Sequence, residues 1–335
     1  MSCRSFCFLL LVACACLLPL RSPAPLYYTP GEGWYYEPAG QKANWQRARA
    51  KDQLEVAQQA FTNRNYNVAL HAAHRVVRVW PMSDYAPQAQ YLIGRCLEEK
   101  RKDEAAFKAY QAIIQKYPSS TSFEDVLWRQ YTIAGRFLGG QFFRLWGIIP
   151  LYRSMEETAK LYSTIITNGP YSDVAPQAQL KIGTAREKQK DYPSAVKAYE
   201  VASDRYNNRP AIASEAFYRQ GVAYQKQAAT AEYDQGTAAQ AISAYTDFIT
   251  LFPDDKRVPD AQKAIAALKT MQVEGNFKIA RFYEQNKVLN ATQRRDGALV
   301  YYNEVLQLDP NSPLAAQARQ RIAQLRPRPP APPAG

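Results

Sequence analysis

Cysteine and histidine are nearly missing from the body of this chain. Of five cysteines in 335 residues, Cys3, Cys7, Cys14 and Cys16 fall at the start, which leaves Cys96 alone. No internal disulfide can form in the body, so the fold must be held by packing. Cys96 sits at helical spacing in an apolar pattern and reads as a small core residue. The two histidines, His71 and His74, lie three apart on a predicted helix. Two metal ligands can share a helix face at that spacing, but no third histidine or further cysteine exists to complete a set. No G-x-S-x-G, no phosphate loop and no cysteine–histidine nucleophile signature occurs. Adjacent carboxylates such as Glu156 and Glu157 read as a solvated helix face, and Gly139-Gly140 reads as a helix end. No catalytic residue, cofactor or metal is therefore assigned, and an enzyme is not expected.

Long apolar runs are also scarce. The longest, from Phe6 to Leu20, has 15 residues and follows Arg4. That is the charged start and short apolar stretch of an export signal, too short to span a bilayer comfortably. Within it, Leu11-Val12-Ala13-Cys14 offers an aliphatic and a small residue ahead of a cysteine, the pattern for cleavage and lipidation at Cys14. Cleavage nearer Ala24 is the competing reading, with Pro25 then unfavourably placed after the cut. Either way residues 1–24 are assigned as an export signal. The net charge is +12 and the pI about 9.4. No dense Lys/Arg cluster accompanies that balance, so it reads as a solvated helical surface rather than a nucleic-acid face. The last ten residues, 326–335, are rich in proline and predict an extended tail.

What the chain does have is repetition. Ser83 to Gln90 reads SDYAPQAQ, and Ser172 to Gln179 reads SDVAPQAQ. Aligning 83–118 with 172–207 gives 15 identities in 36 positions. The unit has an internal order: Gly94, then Ala106, Tyr110 and Pro118, at offsets of 12, 16 and 24. The second copy gives Gly183, Ala195 and Tyr199, with Asn207 in place of the proline. An earlier unit has Ala57, Ala69 and Pro81, with Ala73 in the aromatic slot. Later units keep Ala241, Tyr245 and Pro253, then Ala298, Tyr302 and Pro310, after longer loops. Small residues let two helices approach, large ones fill the groove beside the crossing, and proline stops the second helix. Six units are expected, centred near residues 57, 94, 134, 183, 221 and 280. This resembles the tetratricopeptide repeat, and it predicts an all-α helix-pair solenoid of five to six repeats over 45–325, wound right-handedly, with a concave face. No strands of consequence are expected. In the duplicated octet, Ser83 or Asp84 is placed to cap the following helix, and Pro87 falls in its first turn.

Two segments depart from the repeat. Residues 25–44 are rich in Pro, Gly, Tyr and Trp and predict an extended leader, which either folds back on the first repeat or meets a partner. Residues 140–154, GQFFRLWGIIPLYRS, are too apolar for an ordinary solvated loop. They read either as a helix extension packed on neighbouring repeats or as a docking surface formed by Phe142, Phe143, Leu145, Trp146, Ile148 and Ile149.

An exported chain with a candidate lipid cysteine and about five or six such repeats resembles the BamD family of outer-membrane assembly lipoproteins. The resemblance rests on the stretch from Ala57 to Pro81, on SDYAPQAQYLIG and on Lys278 to Tyr283, and it covers roughly 50–325. It implies a non-enzymatic scaffold on the periplasmic face of the outer membrane, held there by a lipid anchor. Its partners would be the barrel-inserting subunit and the signals of unfolded barrel proteins. The alternative is another periplasmic tetratricopeptide-repeat protein that coordinates envelope constriction or cell-wall processes.

Overall fold

The computed structural model describes residues 26–29, 33–36, 45–120, 122–145, 149–229 and 235–325. Cys14, the rest of residues 1–24 and residues 326–335 lie outside them. The chain divides into two compact units, 1–123 and 124–335.

The first unit contains α1 (Ala50–Thr62), α2 (Tyr66–Val79), α3 (Ala86–Glu99) and α4 (Asp103–Lys116). Ahead of them, β1 (Leu26–Thr29) and β2 (Gly33–Tyr36) pair antiparallel, with Tyr27 opposite Tyr35 and Tyr28 opposite Trp34. Within the leader these two four-residue strands are extended and paired with each other. Its Tyr/Trp content favours strand pairing.

The second unit starts with α5 (Phe123–Leu138), whose first residue sits at the boundary. It continues through β3 (Phe143–Leu145), β4 (Ile149–Tyr152), α6 (Met155–Asn168), α7 (Ala175–Lys188) and α8 (Tyr192–Arg205). Then come α9 (Pro210–Ala228), α10 (Gln235–Leu251), α11 (Val258–Gln285), α12 (Ala291–Leu308) and a closing helix α13 (Pro313–Leu325). Among the described residues the chain therefore forms six helix pairs and one closing helix. The architecture is an all-α helix-pair solenoid, and β1–β4 are two short hairpins appended to it. In the first unit α1 to α4 each pack on the next in sequence, in the second α6 to α13 do, and first helices also meet across pairs, as α1 does with α3 and α7 with α9.

Proline sets the helix ends. Pro81, Pro118, Pro170, Pro253 and Pro310 each stand two residues past the end of a second helix. Pro87, Pro176 and Pro210 stand in the first turns of α3, α7 and α9, where a missing N–H costs little. Three pairs use the same three-residue connection, 63–65, 100–102 and 189–191. Its middle residue is left-handed, with φ of 57° at Arg64, 57° at Arg101 and 62° at Lys190.

The small-residue slot works through direct ring contact. A Cβ added to Gly94 would lie 2.3 Å from the Tyr110 ring, one on Gly183 2.4 Å from Tyr199, and one on Gly221 2.6 Å from Tyr245. Each tyrosine lies flat on its partner helix at the glycine, and all three are fully buried. The tyrosine hydroxyl then donates to an acceptor four residues beyond the small residue. Tyr110 reaches Glu98 at 3.1 Å, Tyr199 reaches Glu187 at 2.5 Å, Tyr245 reaches Gln225 at 2.7 Å, and Tyr302 reaches Glu284 at 2.8 Å. A buried phenol without such a partner would cost roughly 1–3 kcal/mol.

The duplicated octet has a different role from the one its sequence suggests. Neither Ser83 nor Asp84 caps α3: the N-cap is Tyr85, no side chain caps it, and the Ser83 carbonyl closes the turn to Ala86 N–H. The turn is satisfied by backbone, which removes the need for a side-chain cap. The octet's last glutamine carries the specificity instead. Gln90 and Gln179 are buried and donate to the Ala109 and Ala198 carbonyls, both at 2.9 Å, tying the first helix of the pair to the second.

Candidate functional site

The site builds from the exposed face of the first helices in the second unit. On α7, Gln177, Lys181 and Thr184 are spaced by four and three residues, so they share one face with Leu180. On α9, Glu215 and Arg219 stand one turn apart. With Tyr131 of α5 and Tyr199 of α8 below, these residues enclose a cavity of about 210 Å³. Its floor is held by the pair-four clamp just described, since Tyr199 is fixed by Gly183 and Glu187.

Charges around the cavity are mostly satisfied. Glu187 is buried and accepts from Tyr199 and from Lys226 at 2.5 Å. Arg219 donates to Glu215 at 2.8 Å and approaches Glu187 at 3.9 Å. Glu215 also pairs with Arg257, which holds Asp255 at 2.7 Å and reaches Ser214 Oγ at 3.1 Å. The Arg257 guanidinium covers the Tyr218 ring at 4.9 Å and the Phe248 ring at 5.4 Å. Hydrogen bonding from Arg257 holds the Asp255 carboxyl well below the usual carboxylate range. Burial pushes the Tyr199 phenol far above its ordinary value, and the Glu187 charge adds to that. Tyr199 therefore stays a neutral donor. Lys181 makes no ion pair among the described residues, which leaves one uncompensated cation at the cavity. The arrangement offers an amide, a hydroxyl, an ammonium and apolar rings, and it sets no nucleophile against a base. Chemically it suits non-covalent binding of a peptide-like segment.

The insertion proves to be a hairpin. β3 pairs antiparallel with β4, Phe143 opposite Tyr152, with an irregularity between Phe143 and Arg144. The helix-extension reading is therefore corrected: Gly140 turns the chain at φ 102°, and Pro150 removes a helical N–H. Phe143 is also corrected as a docking residue. It is buried and stacks on Phe137 of α5 at 4.2 Å and on Tyr152 at 5.8 Å. Phe142 remains open at 41% exposure, with the Arg153 guanidinium 4.5 Å over its ring. Leu145 and Ile149 lie in β3 and β4, while Trp146 and Ile148 lie outside the described residues.

Elsewhere, His71 packs near the Trp45 ring at 6.0 Å. No group of three metal-ligating side chains occurs among the described residues. Cys96 is buried and its thiol is pushed up to about 11 by desolvation, the condition of an inert core residue. No described helix is long and apolar enough to cross a membrane.

Sequence reasoning missed the cavity residues. Their signal was present in the i, i+4, i+7 spacing of Gln177, Lys181 and Thr184, but the same spacing marks any solvated helix face.

Comparison with known proteins agrees with the fold. Residues 153–309 match a family described as outer membrane lipoprotein. Residues 54–121 match a family described as tetratricopeptide repeat. Among solved structures, the chain is similar to the C-terminal part of a tetratricopeptide-repeat-containing protein from Cytophaga hutchinsonii, at 17% identity and a TM-score of 0.38, over 83% of this chain and 88% of that one. It is also similar to a tetratricopeptide repeat protein from Parabacteroides merdae, at 11% identity and a TM-score of 0.34, over 82% and 98%. At those scores the structural likenesses carry no argument of their own. No protein of curated function matches the sequence. From Arg153 to Asp309, the stretch that holds α6 to α12 and most of the cavity, this chain is similar to outer membrane lipoproteins, and over α1 to α4 it is similar to tetratricopeptide-repeat proteins.

Proposed function

We propose that this protein is a non-enzymatic scaffold of outer-membrane β-barrel assembly, anchored at the periplasmic face of the outer membrane through a lipid on Cys14. The observation that carries the reading is the outer membrane lipoprotein match over 153–309, which falls on the helix pairs that build the cavity. In this reading an extended segment of an unfolded barrel protein lies along the first-helix face, with Gln177 and Thr184 meeting its backbone and Lys181 meeting an acidic group. The barrel-inserting subunit binds elsewhere on the solenoid.

Affinity purification of the full chain from native envelopes in mild detergent tests this. Recovery of a barrel insertase is the expected result. Recovery of cell-wall or constriction proteins in its place, with the chain well expressed, contradicts the reading and favours the alternative periplasmic role. Lipid labelling of Cys14→Ala against the unaltered chain tests anchoring, and equal labelling removes Cys14 as the site.

A further inference from the structure

In a stack of antiparallel helix pairs, the turns within pairs share one edge and the turns between pairs share the other. In the first unit the two edges differ in charge. The within-pair turns, 63–65 and 100–102, carry Arg64, Lys100, Arg101 and Lys102. The turns 80–85 and 117–122, on the other edge, carry one charge, Asp84. The sequence keeps Arg64 far from the other three cations, and the fold brings the two turns together: Lys100 donates to the Asn67 side chain in the first turn of α2. Arg64, Arg101 and Lys102 are exposed, and no ion pair among the described residues holds them. Asp103 is buried and Glu104 half-buried, so Glu99 is the exposed carboxylate beside them. Arg64 and Arg101 also sit at a φ of 57°, where glycine would be unstrained. The chain thus places a cation at this edge twice, at a cost in backbone energy.

We propose that this edge docks on an anionic phospholipid surface. Cations on two adjoining turns attract a negatively charged bilayer, and each one adds to the attraction once it lies within a Debye length of the headgroups. The leader favours lipid over an acidic protein as the occupant. β1 and β2 hold five Tyr/Trp residues among eight and no charge, the composition of a membrane–water interface. They stand between the first helix pair and Cys14, which lies twelve residues before Leu26. A stretch of that length reaches at most about 40 Å, so a lipid on Cys14 keeps the strands near the bilayer. The choice of lipid therefore rests on the anchor in the scaffold reading, whereas the charge of the edge does not. The surface is separate from the first-helix cavity of the second unit.

Sedimentation with vesicles of phosphatidylcholine, with and without phosphatidylglycerol, tests the proposal. The chain from Pro25 on holds every described element and no export segment, so its binding reports the edge and not the anchor. It should pellet with vesicles that contain phosphatidylglycerol, far less with phosphatidylcholine alone, and salt at about 1 M should release it. Arg64→Gly, Arg101→Gly and Lys102→Gln should each weaken binding about fivefold. The two glycine variants relieve a left-handed residue and should melt no lower than the parent, so a loss of binding in them is not a loss of fold. Lys263→Gln removes an exposed cation from α11 and should leave binding unchanged. Lipid labelling at Cys14 reads the anchor and vesicle binding reads the edge, so either can fail alone. No pelleting, pelleting that ignores phosphatidylglycerol, or equal losses in Arg101→Gly and Lys263→Gln overturns the proposal. Retention on immobilised polyglutamate that Arg101→Gly abolishes, without vesicle binding, also overturns it and assigns the edge to an acidic protein.

Discussion

Pairs three and four lie side by side in the second unit and use the same plan differently. In pair four, Gly183 admits the Tyr199 ring, Glu187 takes its hydroxyl, and Gln179 ties the two helices together. In pair three the ring slot is Tyr162, and the slot four residues before it is Thr158, both fully buried. The small slot holds the buried Ala134, and a Cβ added to its neighbour Gly135 would lie 3.8 Å from the Tyr162 hydroxyl. Four residues beyond Ala134, where the other clamps have Glu or Gln, stands Leu138. The Tyr162 hydroxyl is accordingly buried with no partner. Pair three has given up its clamp where the chain leaves the repeat for the β3–β4 hairpin, and Phe137 and Phe143 stack there instead. The repeat therefore tolerates an insertion once its hydrogen-bonded lock is replaced by apolar packing.

The largest expected effect is a difference in sign between two glycines. Gly183→Ala drives a Cβ into the Tyr199 ring and should cost about 1–3 kcal/mol, the usual penalty for overpacking a core. Gly135→Ala places its Cβ at ordinary van der Waals distance from the Tyr162 hydroxyl and should gain up to about 1 kcal/mol from helix propensity. Urea denaturation of the two variants checks this, and two losses of equal size would erase the distinction between the pairs.

Hydroxyl removal comes next. Tyr162→Phe removes an unsatisfied donor and should leave the melting temperature unchanged or raised. Tyr199→Phe removes a donor from buried Glu187 and should cost on the order of 1 kcal/mol, because Lys226 and Arg219 still hold that carboxylate. Equal shifts in thermal melts would show that the clamp is not hydrogen-bonded as described.

Acid should act on the second unit through its depressed carboxyls. Asp255 and Glu156 titrate below their ordinary values because Arg257 and Arg186 hydrogen-bond them. A depressed carboxyl stabilises fully above its unfolded pKa, near 3.8 for Asp255, and loses that contribution as pH falls through the folded value. Stability should thus decline below about pH 4, and Asp255→Asn should flatten that decline in acid titrations followed by circular dichroism. The smallest effect belongs to the three-residue turn. Lys190→Gly relieves a left-handed lysine and should gain about 0.5–1 kcal/mol, less the entropy glycine loses on folding.

The fold was largely legible because the repeat writes it in residue size. Small, aromatic and proline slots at fixed offsets located five of the six pairs. Pair three was placed only approximately, because Thr158 fills an alanine slot and fifteen inserted residues hide the offset. The caps at Ser83 and Asp84 were misread because side-chain capping and backbone turn closure leave the same polar residues in sequence. The acceptor roles of Glu98, Glu187, Gln225 and Glu284 do not show in the sequence, since they depend on the tyrosine of the neighbouring helix. The hairpin was illegible for a related reason: an apolar run of this length fits a strand pair or a buried helix until its packing partner is known. The spacing of the cavity residues did not single them out, because Gln, Lys and Thr at helical spacing are ordinary in water.

We propose above that the first-helix face around Lys181 receives segments of unfolded outer-membrane barrel proteins. A photo-crosslinking residue placed at position 181 in the full chain, irradiated in native envelopes, tests it most directly. The account predicts adducts with barrel proteins caught before insertion, and none from a matched probe at the solvated Glu124. Adducts with cell-wall proteins alone, or equal labelling from both positions, would contradict it.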